Sequence, residues 1–374
     1  MKRLVLCLPL FAFFASCGGG VSPSTPPPAP PRPPRALTGL EPFAPRTDIR
    51  VGQRVGPLVV YGNYDDGTTG TVNAEWTSSD PDVVAIDEDG FAEGIGAGTA
   101  VLTATFEGFE VELDFVVEDS IPRSTRDRPD DISGPQVHFV YAVPSDWEDL
   151  NRDRFGEIER SAEGIQNWLA AEIGQILRLD TYHGRPDVSF LRLPFTHQEG
   201  DGTAGGTVGD ILRAARSLGI TGDKILAVYY EGRVAGVCGS APLFGGGGAV
   251  YLSCSDAELG IDERTVSTFE VVMVHELFHV FGAVASCAPN YVEGSHVNDV
   301  ENDLMFSGVE REPRGGETLI DVGRDDYYGH GRPDCVDVSR SRFLERAPGI
   351  AAGSRTVEVR LPAGDWPLRC ELEH

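Results

Sequence analysis

The sequence contains one short stretch whose residue types and spacing can hold a catalytic metal ion, His275-Glu276-Leu277-Phe278-His279. Residues four apart lie on one face of a helix, so the imidazoles of His275 and His279 can point at one position. Neutral imidazoles are typical zinc ligands, and Glu276 lies beside them, where a carboxylate can act as general base on a water. The stretch therefore predicts a zinc site with hydrolytic chemistry. The alternative is a buried helix whose histidines only find hydrogen-bond partners.

A helix that begins just before this stretch can position its side chains. Ser267 and Glu270 have the spacing of a capping box, and Gly282 can end the helix in the left-handed conformation. The intervening residues are apolar on several sides, so the helix is expected to be largely buried. Buried imidazoles and a buried carboxylate are costly unless something compensates them, and a bound cation would do so.

The stretch also resembles part of a known signature. Together with Gly282 it is similar to the opening of the metzincin motif, and Asp303-Leu304-Met305-Phe306 resembles the Met-turn of that family. The resemblance covers most of 136–344 in layout, although its specific motifs lie between His275 and Phe306. It implies a zinc metallopeptidase in which Met305 supports the metal site from beneath.

Predicted strands alternate with helices over the same part of the chain, a pattern that indicates an α/β sheet with long helices packed against it. Apolar runs at Gln136–Val143 and Lys224–Glu231 predict two strands, and the periodicity of Arg152–Ile176 predicts a helix. The metzincin resemblance implies a strand that lines the cleft and pairs with an extended substrate. Ala249–Ser253 is the expected strand.

The third metal ligand departs from the metzincin pattern, because the position three residues after Gly282 is Ala285. A catalytic zinc commonly takes three protein ligands. A loop-like insertion at 284–294 leads instead to His296, which is the first candidate because related zinc peptidases with an insertion at this point are known. Asp299 is the alternative, since a carboxylate can ligate zinc but more often orients a histidine from behind.

Two further roles are left open by the sequence. Some metzincins carry a tyrosine near the Met-turn that reaches the metal or the oxyanion, and Phe306 cannot do this. Tyr327 and Tyr328 are candidate substitutes, with a solvated turn as the alternative. The acidic stretch Asp299–Asp303 offers oxygen ligands of the kind that calcium prefers, without an EF-hand pattern. The expected cofactor is one catalytic Zn²⁺, with Ca²⁺ as a further candidate.

The N-terminal residues predict export. Lys2 and Arg3 precede an apolar run, 4–14, which matches a signal peptide and is too short to span a bilayer. Phe14-Ala15-Ser16-Cys17 resembles a bacterial lipoprotein box, which implies a lipid on Cys17, with ordinary secretion as the alternative. The proline-rich segment that follows predicts a semi-rigid spacer.

A small β domain is expected after the spacer. Short runs rich in β-branched and aromatic residues alternate with Gly and Asp turns over 37–118. Within it, 75–87 and 90–100 resemble the bacterial Ig-like group 2 family. The resemblance implies a two-sheet sandwich with Trp76 in its core, of a family found as spacers and adhesive modules.

The predicted organisation is multidomain, with an all-β Ig-like sandwich followed by an α/β (α+β) metzincin-like zinc peptidase domain. The expected segments are a lipoprotein signal peptide at 1–17, a Pro-rich linker at 18–45, the Ig-like domain at 37–118, a linker at 119–135, the peptidase domain at 136–346 and a C-terminal extension, with one expected strand, at 347–374.

Cysteine usage is typical of an oxidising compartment. Cys238 and Cys254 flank a glycine-rich loop, and Cys287 and Cys335 flank the predicted site, so these are the candidate disulfides. Spacing alone does not determine connectivity, and Cys370 is left over. The net charge of −27 comes without a cluster of basic residues, which argues against a nucleic-acid partner.

These features predict metal-assisted hydrolysis, with peptide bonds as the first substrate class. The protein is expected to be lipid-anchored to a bacterial cell surface or outer membrane, or secreted, and to meet a membrane only through its lipid. Its expected partner is a protein or peptide substrate. Two alternatives stay open: an adhesive surface lipoprotein with a degenerate peptidase domain, and a zinc hydrolase of a non-peptide substrate.

Replacing Cys17 by serine tests the anchor. We expect the wild-type protein to partition into a detergent phase and Cys17→Ser to appear in the medium, because the thiol that carries the lipid is gone. Cys7→Ser, within the signal peptide, is the matched control and should behave as wild type. Immunoblots of the two fractions measure the distribution, and an unchanged pattern for Cys17→Ser contradicts the anchor.

Overall fold

The computed structural model describes residues 35–199, 204–234, 236–255, 257–261, 265–307, 319–348 and 358–360. The expected signal peptide, the lipid site Cys17 and most of the Pro-rich linker lie outside these residues, as does Cys370. Among the helices within the described ranges, none combines the length and apolarity that crossing a bilayer requires.

The N-terminal part of the described chain, 37–118, is an all-β domain, as predicted. Its strands are β1 (Leu37–Phe43), β2 (Asp48–Arg50), β3 (Arg54–Val55), β4 (Val59–Tyr64), β5 (Thr69–Val72), β6 (Glu75–Ser78), β7 (Val84–Ile86), β8 (Ala92–Gly94), β9 (Gly98–Phe106) and β10 (Phe109–Glu118). They pair mostly antiparallel, in the orders β1-β4-β5, β2-β10-β9-β6 and β3-β8-β7. The resemblance implied two sheets, whereas the short strands β3, β7 and β8 form a third sheet of their own.

The core of this domain comes from residues that alternate along its strands. Ala100, Leu102, Phe115 and Val117 are almost fully buried, while their neighbours on β9 and β10 are more exposed. This alternation is what a sheet with one solvated face requires. Trp76 is half-buried and packs against the edge of this core.

The rest of the described chain combines strands and helices. The strands are β11 (Gln136–Val143), β12 (Gln175–Leu177), β13 (Thr181–Tyr182), β14 (Arg185–Pro186), β15 (Val188–Arg192), β16 (Lys224–Tyr230), β17 (Gly239–Ser240), β18 (Gly247–Tyr251), β19 (Thr265–Ser267), β20 (Tyr291–Val292), β21 (His296–Val297), β22 (Leu344–Arg346) and β23 (Glu358–Arg360). The α-helices are α1 (Glu157–Ile173), α2 (Ala204–Ala214) and α3 (Thr268–Phe281). The strand β23 lies in the C-terminal extension and pairs in parallel with β19.

A five-stranded sheet of order β15-β11-β16-β18-β17 forms the centre of this second domain. Its strands are parallel except β17, which runs antiparallel to β18 at one edge. Phe139 and Tyr141 share a core with α1 and α3, whereas Val140 and Ala142 share one with α2. Helices therefore cover both faces, and this explains why the central strands are continuous apolar runs.

The segment expected as a linker, 119–135, is held against the second domain by ion pairs. The Arg123 guanidinium contacts Asp149 at 2.5 Å and Asp153 at 2.6 Å. Arg128 lies 2.7 Å from Asp187, whose side chain is fully buried. A charged, proline-containing composition usually indicates a solvated linker, but here the charges match acids in the domain that would otherwise be buried alone.

Lys224 anchors the same segment at the start of β16. Its ammonium group contacts Asp127, Asp130 and Asp180, each at 2.7 Å, and its side chain is 1% exposed. Asp180 also lies 2.6 Å from Nδ1 of the buried His138. Three carboxylates around one ammonium compensate its burial, so residues 119–135 belong to the fold of the second domain.

The two domains also touch directly. Arg46 donates hydrogen bonds from Nη2 to the carbonyls of Gly260 at 2.8 Å and Ile261 at 3.1 Å. The Gly260 N–H in turn donates to Glu270 Oε1 at 3.0 Å, in the first turn of α3. The N-terminal domain thus contacts the loop that precedes this helix.

Arg128→Ala tests the role of the 119–135 segment in the full chain. We expect a loss of about 3 kcal/mol in the free energy of unfolding, because the buried Asp187 carboxylate loses its charged partner. Arg126→Ala is the matched control, since Arg126 is exposed. Denaturant unfolding of the two variants measures the difference, and equal stabilities would show that the segment is a passive linker.

Candidate metal centre

The helix α3 that carries the predicted motif is specified at both ends. Ser267 accepts a hydrogen bond from the Phe269 N–H, and Glu270 reaches back to the Ser267 N–H at 2.7 Å, which completes the expected capping box. Gly282 follows with φ 93°, the left-handed conformation that ends a helix. Every residue of α3 is buried, so its polar side chains need partners within the protein.

Three imidazoles converge on one point beside this helix. His275 Nε2 lies 3.1 Å from His279 Nε2 and 3.2 Å from His296 Nε2. The three residues are 8%, 2% and 3% exposed. His296, the preferred third ligand of the sequence interpretation, is therefore the residue that the structure brings to His275 and His279.

The nitrogen positions suit a tetrahedral zinc ion. With zinc–nitrogen bonds of ~2.0–2.1 Å, ligand nitrogens lie ~3.3 Å apart, close to the two distances observed. The Nδ1 atom of His275 lies 2.7 Å from the Leu304 carbonyl, which can only accept, so Nδ1 carries the proton and Nε2 presents a lone pair. A cation shared by the three Nε2 atoms would accept the His275 lone pair.

Burial keeps the His279 imidazole in the form that binds metal. It lowers the pKa of His279 well below its ordinary value, and the neighbouring His275 and His296 lower it further. A neutral imidazole is the ligand form, so metal binding does not have to displace a proton from His279 near neutral pH.

His296 reaches the other two histidines because a short hairpin is tied to the turn that contains Met305. The strands β20 and β21 pair, with Val292 opposite His296. The Val297 N–H then donates to the Met305 carbonyl at 2.9 Å, and the Ser307 N–H donates to the Val297 carbonyl at 2.9 Å. The third imidazole and this turn are therefore one backbone-paired unit.

Asp303 holds that turn in shape from inside. Its carboxylate accepts hydrogen bonds from the Met305 N–H at 2.7 Å, the Val322 N–H at 2.9 Å and the Tyr327 hydroxyl at 2.9 Å. Burial raises the pKa of Asp303 to about 6, and these three hydrogen bonds oppose the rise. Met305 itself is fully buried. The sequence did not single out Asp303 for this role.

Neither tyrosine considered from the sequence reaches the three histidines. The Tyr327 hydroxyl is fully buried between Asp303 and the Asp321 N–H, and burial together with the Asp303 charge raises its pKa well above the ordinary value. The Tyr328 hydroxyl donates to the side chain of Gln175, the first residue of β12. The expectation of a tyrosine at the metal is therefore corrected, because both hydroxyls bind groups of the protein core. The solvated-turn alternative is also wrong, since both residues are buried.

The acidic residues considered as metal ligands, Asp299 and the stretch 299–303, do not lie around the three histidines. Asp299 is exposed and is not one of the side chains grouped around His275. The Asp303 carboxylate accepts hydrogen bonds within the turn, and the carboxylates of 299–303 are not among the groups that the described residues bring together. Asp321, Asp325 and Asp326 do lie together, but Asp321 accepts backbone hydrogen bonds from the chain that follows it, as in a tight turn.

Glu276 is 1% exposed and lies against glycine backbone of the central sheet. A Cβ atom added at Gly239 would come within 2.5 Å of Glu276 Oε1, and one added at Gly248 within 2.9 Å of Glu276 Cβ. The edge strand β17 and its neighbour β18 can approach α3 this closely only because they lack side chains there. The sequence analysis did not predict a role for these two glycines. The glycine-rich composition of the loop was the only feature that could have indicated it.

The pairing of the central sheet contradicts the expectation that Ala249–Ser253 is a strand open to the substrate. The strand β18 spans Gly247–Tyr251, is buried throughout, and is paired with β16 on one side and β17 on the other. Both edges of β18 are thus occupied by neighbouring strands at Ala249 and Val250. The antiparallel strand next to α3 at the edge of the sheet is β17.

Both candidate disulfides are present. Cys238–Cys254 joins the residue before β17 to the turn after β18, and Cys287–Cys335 joins the insertion after α3 to the segment beyond Tyr328. Each therefore fixes a loop beside the histidines.

Comparisons with known proteins give no family for this chain. No protein-family model and no curated protein matches the chain. Among solved structures, domains 4 and 5 of the S-layer protein SbsC are 18% identical, with a TM-score of 0.20 and coverage of 22% of this chain and 53% of that one. A chaperone–substrate complex is 12% identical with a TM-score of 0.30, covering 67% and 37%. A GH10 xylanase from termite gut that contains a bacterial Ig-like domain is 10% identical with a TM-score of 0.15, covering 49% and 39%.

These likenesses are limited in extent. The chain spans about half of the SbsC fragment and smaller parts of the other two chains. Identities and TM-scores this low carry no argument about activity, so the site is interpreted from its own geometry.

His296→Ala tests the assignment of the third ligand. We expect zinc affinity to fall by more than ~100-fold, beyond the ~10–100-fold that losing an outer-shell partner costs, because one of three convergent nitrogens is removed. Asp299→Ala should bind zinc as wild type does, since its side chain is exposed. Competition with a chromophoric chelator measures both affinities, and the reverse pattern would make Asp299 the ligand.

Proposed function

We propose that the chain is an exported zinc-dependent metallopeptidase whose second domain is metzincin-like. The observation that carries the proposal is the convergence of His275, His279 and His296 in a buried site, with Glu276 on the same helix. Two histidines and a glutamate on one helix, joined by a third histidine from a later segment, are the residue set of a catalytic zinc site rather than of a purely structural cluster.

The three histidines would hold the metal through their Nε2 atoms. A bound zinc ion supplies Lewis acidity and lowers the pKa of water toward ~7. The protein itself would hold His275 in one tautomer through the hydrogen bond to the Leu304 carbonyl. It would also bury the three imidazoles away from bulk water.

Glu276 is the residue that would move protons. As general base it accepts a proton from the attacking water at a carboxylate oxygen, and as general acid it returns that proton to the leaving amine. Its position against Gly239 and Gly248 limits its side-chain freedom, so the carboxylate is presented in a fixed direction. A relic that served only for adhesion would not need this carboxylate.

The N-terminal part is proposed to place the peptidase at a surface. The signal peptide and lipid at Cys17 would anchor the protein to the cell surface or outer membrane, and the proline-rich spacer would hold the folded part away from it. The all-β domain is proposed to be of the bacterial Ig-like group 2 type. The proposed substrates are proteins or peptides, the substrate class of the metallopeptidases that the zinc motif resembles. A net charge of −27 without a basic cluster argues against a nucleic-acid partner.

Glu276→Gln separates the base from the ligands. The amide keeps the shape of the side chain but cannot accept a proton, so we expect turnover of casein to fall by ~10²–10⁴ while zinc stays near one per chain. Glu293→Gln, an exposed glutamate on the hairpin that leads to His296, is the matched control and should retain full activity.

The outcome also distinguishes the alternatives. Full activity in Glu276→Gln would overturn the assigned mechanism. A wild-type protein that contains zinc but cleaves neither casein nor gelatin would favour a zinc hydrolase of a non-peptide substrate. A wild-type protein that binds no zinc would favour the adhesive lipoprotein.

A further inference from the structure

The described surface carries one large apolar side chain directly beside the metal-ligand helix. Phe244 lies in the connection between β17 and β18 and is 60% exposed, more than the other large apolar residues of the described chain. An exposed aromatic ring loses the stabilisation that burial would give it. The exposed part of the ring is therefore apolar surface that the fold itself does not bury.

The backbone at Phe244 is held in an unfavourable conformation. Its φ is 55°, in the left-handed region that residues with a Cβ rarely adopt. The Gly245 N–H donates to the Pro242 carbonyl at 2.9 Å, so Phe244 occupies the turn position where glycine or asparagine is usual. Strained positions of this kind are concentrated at functional sites.

Two contacts fix the ring relative to the histidines. The Phe244 N–H donates to the carbonyl of His279 at 3.2 Å. A Cβ atom added at Gly282 would come within 2.1 Å of the Phe244 ring, so the ring lies directly on the Gly282 backbone. Gly282 is seven residues after His275 and three after His279, which places it on the same face of the helix as both ligands.

We propose that Phe244 is a specificity-determining residue that receives a bulky apolar side chain of the substrate. This inference rests on the proposed peptidase function. The exposed ring lies beside the end of the helix that presents His279, and it is held there by a hydrogen bond and by contact with Gly282. A phenylalanine or leucine side chain near the scissile bond would bury its own surface and that of Phe244 together, whereas an alanine or aspartate would not.

Phe244→Gly is the informative variant, because glycine adopts φ 55° without strain and the turn should fold as well as before. Phe244→Tyr retains the ring and should behave as wild type. Ile95→Ala, which removes an exposed apolar side chain from the N-terminal domain, is a control for general loss of surface. The probes are synthetic peptide pairs that differ only in phenylalanine or alanine at each position around the cleaved bond.

We expect wild type, Phe244→Tyr and Ile95→Ala to prefer the phenylalanine peptide at one position. Phe244→Gly should lose that preference about tenfold or more in kcat/KM while its zinc content and its cleavage of the alanine peptide stay unchanged. Fluorescence anisotropy can measure the binding of fluorescein-labelled peptides to Glu276→Gln, with and without Phe244→Gly. The Kd for the phenylalanine peptide should rise by the same factor when Phe244→Gly is added.

Cleavage with an unchanged preference in Phe244→Gly would overturn the inference and leave the proposed function intact. A wild-type protein that cleaves none of the peptides, nor casein, would remove the proposed function and the inference together. Loss of zinc in Phe244→Gly would show that the residue supports the fold of the site rather than selecting substrates.

Discussion

The hydrogen bond between His275 Nδ1 and the Leu304 carbonyl, 2.7 Å long, is the contact on which the candidate site depends. It fixes the tautomer of one imidazole, and it joins the helix to the turn around Met305. Because the Met305 carbonyl accepts from the Val297 N–H, the same turn positions His296. Distortion of this turn would therefore disturb two of the three nitrogens at once. Asp303 supports it from within.

Buried charge is compensated differently in different parts of the second domain. At the start of β16, the Lys224 ammonium group lies among three carboxylates and compensates the negative charge of the buried Asp127 and Asp180 side chains. His138 lies between Asp180 and Ser189 in an arrangement like that of a hydrolase triad, but all three are fully buried, so no substrate can reach them. Around His275 the converging groups are imidazole nitrogens instead. Such a set of nitrogens is typical of zinc ligands, and this is the physical reason to propose a metal ion there.

Local patterns predicted much of this structure. Each local feature of α3 depends on residues no more than about one helical turn apart: the capping box, the terminal Gly282 and the spacing of the two histidines. His296 was predicted because a catalytic zinc commonly takes a third protein ligand. The roles of Asp303, Gly239 and Gly248 could not be anticipated, because each depends on an approach between segments distant in sequence. The sequence predicts a linker at 119–135 for the same reason, because charged side chains are expected to be solvated when their partners in the fold are not known.

The disulfide Cys287–Cys335 spans 48 residues of sequence, and His296 and Met305 lie inside that span while α3 lies outside it. In the chain-entropy model, a disulfide that closes a loop of this size lowers the conformational entropy of the unfolded chain. This adds about 4 kcal/mol to the free energy of unfolding. A cytoplasm that keeps thiols reduced withholds this contribution, and an oxidising compartment supplies it. The redox state of the surroundings therefore affects the three histidines unequally: it changes how strongly the segment that carries His296 is constrained, whereas the helix that carries His275 and His279 lies outside the bridged loop.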